Sequence, residues 1–125
     1  MEKVTPFLMF QDGNAEEAMN FYTSIIEDSQ ITSIVRYGAN EAGKEGTVMQ
    51  ATFTLKGQEF MCIDSYIKHH FSFTPSFSNF VTCNTEEELD NLYEKLGEGG
   101  QTLMPLNDYG FSKKFGWLND RFGVS

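Results

Sequence analysis

"NAEEAMNFY" at residues 14–22 returns as "TEEELDNLY" at residues 85–93, and this echo decides how the chain is read. Asn14 and Thr85 stand where a side-chain oxygen caps a helix, and a glutamate follows three residues later each time, Glu17 and Glu88. That is the capping-box pattern, in which cap and glutamate satisfy orphan backbone N–H groups at the helix start. Apolar residues then recur at helical spacing: Ala15, Met19, Tyr22 and Ile26 in one copy, Leu89, Leu92, Tyr93 and Leu96 in the other. The acidic runs at 15–17 and 86–88 sit in the first turns, where negative charge complements the helix dipole, so they need no calcium.

The echo extends outward. An apolar strand precedes each helix, "TPFLMFQ" (5–11) and "SNFVTCN" (78–84), and Thr5 is held extended by the proline after it. After each helix, "QITSIVRYG" (30–38) matches "QTLMPLNDYG" (101–110) with one insertion. A hairpin closes each half. "TVMQATFTL" turns at Lys56-Gly57 into "QEFMCID", and "KKFGWL" turns at Asp120 to Gly123 into "VS". Each half reads as strand, helix and three strands. The expected fold is α+β: two tandem βαβββ units in one structural domain, at 1–66 and 77–125, joined by a connector at 67–76. The final strand of the second unit is expected to begin at Val124 and to be missing beyond Ser125.

Composition narrows the function. A chain of 125 residues buries roughly two thirds of its unfolded surface, enough for a core without metals or disulfides. The net charge is −9, with nine Lys and Arg against eighteen acids, which argues against nucleic acid and anionic membrane as partners. The N-terminus lacks a signal-peptide pattern, and no apolar run approaches the ~20 residues of a membrane span. Cys62 and Cys83 do not make a disulfide framework, so a cytoplasmic protein with reduced thiols is expected.

"TPFLMFQDGNAEEAMNFY", "GTVMQATFTLKGQEFMCIDS", "FTPSFSNFV" and "YGFSKKFGWLNDRFGVS" together resemble the PhnB-like branch of the vicinal oxygen chelate superfamily, the group of glyoxalase I, bleomycin-resistance proteins and extradiol dioxygenases. That branch often carries the label 3-demethylubiquinone-9 3-methyltransferase domain. The resemblance implies a curved mixed sheet closing a cup, and a homodimer. It also implies four metal-ligand positions, on the first and last strand of each unit. These fall at Phe7, at or near Cys62, near Ser78, and about two residues beyond Ser125. Neither Phe nor Ser replaces His or Glu as a ligand for Mg²⁺, Zn²⁺ or Fe²⁺, a lone Cys favours soft ions, and a slip of one residue brings in no ligand. No resident metal or other cofactor is expected.

The candidate cavity residues are Phe7, Met9, Gln50, Cys62, Ser78, Phe80, Phe115 and Trp117. The resemblance points Cys62 into the cup, although a small packing residue suits its setting better. His69 and His70 lie in the connector, Asp108 and Asp120 initiate turns, and Glu59 is a third isolated acid. No G-x-G-x-x-G occurs, and "GEGG" (97–100) follows a helix instead of preceding one, which disfavours a methyl-donor site. The leading expectation is a metal-free protein that binds a small, partly apolar organic molecule. A metal-dependent lyase, isomerase or dioxygenase is the alternative, with methyl transfer the least favoured.

Overall fold

Strand, helix and three strands is the order that the first half forms in the computed structural model, which describes residues 1–110 and 113–125. The chain divides into two units, Met1–His70 and Phe71–Ser125. Unit 1 holds β1 (Phe7–Phe10), α1 (Ala15–Ile25), β2 (Gln30–Arg36), β3 (Val48–Leu55) and β4 (Gln58–Asp64). They build a mixed sheet in the order β1-β4-β3-β2. β1 runs parallel to β4, with Phe7 opposite Met61 and Leu8 opposite Cys62, and β3 pairs antiparallel with β4 and with β2. The β3–β4 hairpin turns at Lys56 and Gly57, with φ of 51° and 86°. Two consecutive positive φ values suit the right-handed twist of a hairpin.

Alternation along the strands sends Leu8, Phe10, Ala51, Phe53, Phe60 and Cys62 to one face, all buried, where α1 adds Ala15, Ala18, Met19 and Tyr22. The Phe53 ring lies 5.3 Å from that of Phe60 and 6.4 Å from that of Tyr22. At the end of β4 the carboxylate of Asp64, 3% exposed, faces the same way. It accepts hydrogen bonds from Ala15 N at 3.0 Å and Val48 N at 2.8 Å. This corrects the expected cap: Asn14 stands before α1 but its side chain makes no capping bond. A carboxylate makes stronger bonds to backbone N–H than an amide oxygen does, and the helix N-terminus favours its charge.

Unit 2 holds α2 (Glu86–Gly97), β5 (Gln101–Asn107) and β6 (Phe115–Asn119), the two strands pairing antiparallel. The α2 cap forms as expected. Glu88 N donates to Thr85 Oγ1 at 3.1 Å, and the Glu88 carboxylate takes Asn84 N at 2.9 Å. The turn expected at Asp120 to Gly123 forms too. Asp120 N donates to Val124 O at 2.8 Å, and Asp120 Oδ1 accepts from Phe122 N and Val124 N.

The expected strand at 78–84 is absent. Its counterpart β1 is fixed by pairing with β4. Residues 78–84 form no such ladder, and Asn79 N–H instead donates to Ser125 O at 3.0 Å. α1 buries four residues against its sheet, whereas α2 has none fully buried. No helix among the described residues is long and apolar enough to cross a membrane.

Candidate functional site

A sheet covered by a helix on one face presents the alternate residues on the other. In unit 1 that open face carries Phe7 and Met9 from β1 and Met61 and Ile63 from β4, in register. Gln50 and Val35, directly opposite each other, extend it across β3 and β2. Phe7 and Val35 are each 51% exposed, so this is an apolar surface open to solvent.

Cys62 is not part of it. Its side chain is buried on the α1 face, one residue out of phase with Phe7 and Met9. Burial first, and the neighbouring Asp64 charge second, push its thiol up to about 12. A thiol that stays protonated beneath a helix is a packing residue, not a nucleophile. The Cys83 thiol is raised as well, chiefly by burial.

In unit 2, β6 repeats the division of faces. A Cβ on Gly116 would come within 2.5 Å of the Tyr93 ring on α2, so this position faces the helix and glycine lets the two pack closely. Phe115 and Trp117 alternate with it and point to the open side. Phe80 stacks on Phe115 with ring centroids 6.1 Å apart, and Tyr109 meets the same ring edge-on at 6.0 Å. The Trp117 indole N–H donates to Ser78 Oγ at 3.1 Å, and the Ser78 hydroxyl lies 3.2 Å from Pro75 O, to which it donates. The structure thus brings four candidates together, Ser78, Phe80, Phe115 and Trp117. Tyr109, which meets Phe115, is one that sequence reasoning missed; its place inside the Asp108–Gly110 turn gave no strand periodicity to read.

Ser78, Phe80, Phe115 and Trp117 border a groove of about 780 Å³ between residues 78–86, the apolar side of α2 and β6. Its other walls include Leu89, Leu92 and Leu96, while Lys113, Lys114 and Glu86 supply charge.

The remaining ionisable candidates have structural duties. Glu59 is held ionised by the Lys3 ammonium at 2.8 Å and accepts from Thr5, and its carboxyl lies below the usual range for that reason. Asp108 accepts Gly110 N at 2.8 Å within its turn. His69 and His70 are exposed, and the backbone N–H of His69 donates to Gln11 Oε1.

The model of the family described as 3-demethylubiquinone-9 3-methyltransferase matches residues 2–125. The chain belongs to the 3-demethylubiquinone-9 3-methyltransferase family. It is similar to the solved structure of a putative 3-demethylubiquinone-9 3-methyltransferase, PhnB protein, from Bacillus cereus: 64% identity over 98% of this chain and 95% of that one, TM-score 0.95. A Staphylococcus aureus protein is 39% identical over 99% of this chain and 92% of its own, TM-score 0.44. Protein PA1353 from Pseudomonas aeruginosa shares the fold at 23% identity, over 99% of this chain and 93% of its own, with TM-score 0.72. No curated protein matches the chain.

The residues of this family member do not fit the metal that the resemblance implies. On the open face, the first and last strands of unit 1 offer Phe7 opposite Met61, and unit 2 offers Ser78 beside Trp117. None of these is an imidazole or carboxylate. Among the described residues, no three His, Cys, Asp or Glu side chains gather in a metal-binding group. The methyl transfer in the family description also lacks support here. The β1–α1 connection, residues 11–14, carries Gly13 as its one glycine instead of a glycine-rich turn.

Proposed function

We propose that this PhnB-like protein binds a small, partly apolar organic molecule on the open faces of its sheets, without a resident metal. The observation that carries this reading is the packing of the Phe80 and Tyr109 rings on Phe115, two residues from Trp117, whose indole N–H donates to Ser78 Oγ. Phe80 keeps 76% of its surface exposed while stacked on Phe115, so the cluster leaves aromatic surface for a ligand to cover. Aromatic walls with a few polar groups are the usual make-up of small-molecule sites. Phe7, Met9 and Gln50 supply the corresponding surface of unit 1, and Cys62 has no part in it. The same exposed apolar face suits a homodimer, in which a second copy covers it. The reading keeps the protein in the cytoplasm, where its free thiols Cys62 and Cys83 stay reduced.

Native mass spectrometry of freshly purified protein tests the proposal. The expected spectrum carries an added organic mass that leaves on denaturation. Phe80→Ala removes an exposed ring and so spares the fold. It should weaken retention by about tenfold, the equivalent of ~1.4 kcal/mol of lost aromatic contact. A bare mass in repeated preparations, with nothing captured from a small-molecule cell extract, overturns the proposal.

A further inference from the structure

The aromatic residues on the open side of unit 2 have already spent their hydrogen-bond donors. Phe80 and Phe115 carry none, and Ser78, Tyr109 and Trp117 carry one polar side-chain hydrogen each. The Trp117 indole N–H goes to Ser78 Oγ at 3.1 Å, the Ser78 hydroxyl to Pro75 O at 3.2 Å, and the Tyr109 hydroxyl to Pro105 O. What remains at Ser78 is acceptor capacity, because its oxygen has two lone pairs and the indole N–H takes one. We infer that the molecule held here is a planar aromatic ring bearing a hydrogen-bond donor, a phenol-type hydroxyl or a ring N–H, which it gives to Ser78 Oγ. This names the ligand class of the proposed binding function and rests on that reading.

Ring geometry sets the shape. Phe80 and Phe115 stack with 27° between their planes, and Phe80 is otherwise exposed, so a flat ring continues the stack. Donor count sets the polar group. A carboxylate, carbonyl or ether meets only oxygen lone pairs at Ser78. To gain a bond there it must draw the hydroxyl away from Pro75 O or the indole away from Ser78 Oγ, so it loses one bond for each it makes. A hydroxyl or N–H adds a bond and breaks none. The bond between Trp117 and Ser78 also anchors the indole beside this acceptor, so ring and oxygen are offered together. Lys113, exposed at the border of the groove, is a charge that favours an acid instead, which makes an aromatic carboxylate the competitor that decides.

Trp117 is the one tryptophan of the chain, so its indole N–H gives a single signal in a proton–nitrogen correlation spectrum and reports on this place directly. Three probes are titrated against that signal: naphthol, its methyl ether and naphthoate, substituted at the same ring carbon. Naphthol should bind about fivefold tighter than the ether, the worth of one net hydrogen bond, and tighter than naphthoate. Ser78→Ala, at an exposed position, spares the fold, removes the acceptor and releases the indole N–H as a donor. The preference for naphthol over the ether should vanish in that variant, a comparison in which the apolar contact of the extra methyl group cancels. The inference is overturned, with small-molecule binding left standing, if the wild type binds ether or naphthoate as tightly as naphthol. A preference that survives in Ser78→Ala overturns it in the same way. An indole signal that none of the three probes shifts overturns both the inference and the binding function it rests on.

Discussion

Asp64→Ala is expected to destabilise unit 1 by about 2–6 kcal/mol, because it strips two buried backbone N–H groups of their acceptor at ~1–3 kcal/mol each. The groups are Ala15 N, the first residue of α1, and Val48 N, the first of β3. One carboxylate thus joins the end of β4 to the starts of two other elements, and water cannot take its place at 3% exposure. Asp64→Asn keeps one carbonyl oxygen and puts an NH₂ where the second acceptor was, so its loss should fall short of the alanine variant's. Urea denaturation followed by far-ultraviolet circular dichroism measures both. A loss below about 0.5 kcal/mol for Asp64→Ala, the range of ordinary surface changes, contradicts the assignment.

Phe53→Ala should cost about 3–5 kcal/mol, the range for deleting a buried aromatic side chain. Phe53 is fully buried and its ring lies between those of Tyr22 and Phe60, so three elements lose contact with one substitution. Against a domain stability of about 5–15 kcal/mol, a loss of that size takes a large share of what holds the fold. Phe53→Leu keeps most of the apolar contact but loses the stacking, and should cost clearly less. If the alanine variant unfolds at the wild-type urea concentration, the core does not centre on this ring.

Local chemistry explains what could be read ahead of the structure. Helices α1 and α2 announce themselves by apolar spacing, and Thr85 and Glu88 cap α2 as their positions demand, since every partner lies within four residues. Lys56-Gly57 and Asp120 to Gly123 are turns for equally local reasons. What failed depends on residues distant in sequence. Asn14 yields the α1 cap to Asp64, a residue 49 positions away whose approach no local pattern reveals. Residues 78–84 have strand composition, but a strand needs a ladder partner, and these residues pair with none of the described strands. Alternation correctly put Phe60, Cys62 and Asp64 on one face. Which face the helix would cover was not readable, and that choice moved Cys62 out of the candidate site. In unit 2, Gly116 faces α2 and Phe115 and Trp117 alternate with it, a division of faces that likewise depends on where the helix packs.

The proposed metal-free site rests on positions that the resemblance assigns to metal ligands and that carry here groups unable to hold a cation, with Phe7 opposite Met61 as the clearest pair. Metal content measures this most directly. The protein is incubated with Mg²⁺, Mn²⁺, Fe²⁺ and Zn²⁺, dialysed exhaustively and assayed by inductively coupled plasma mass spectrometry. The account predicts far less than one ion per chain for every metal; one ion of any of them retained per chain would contradict it.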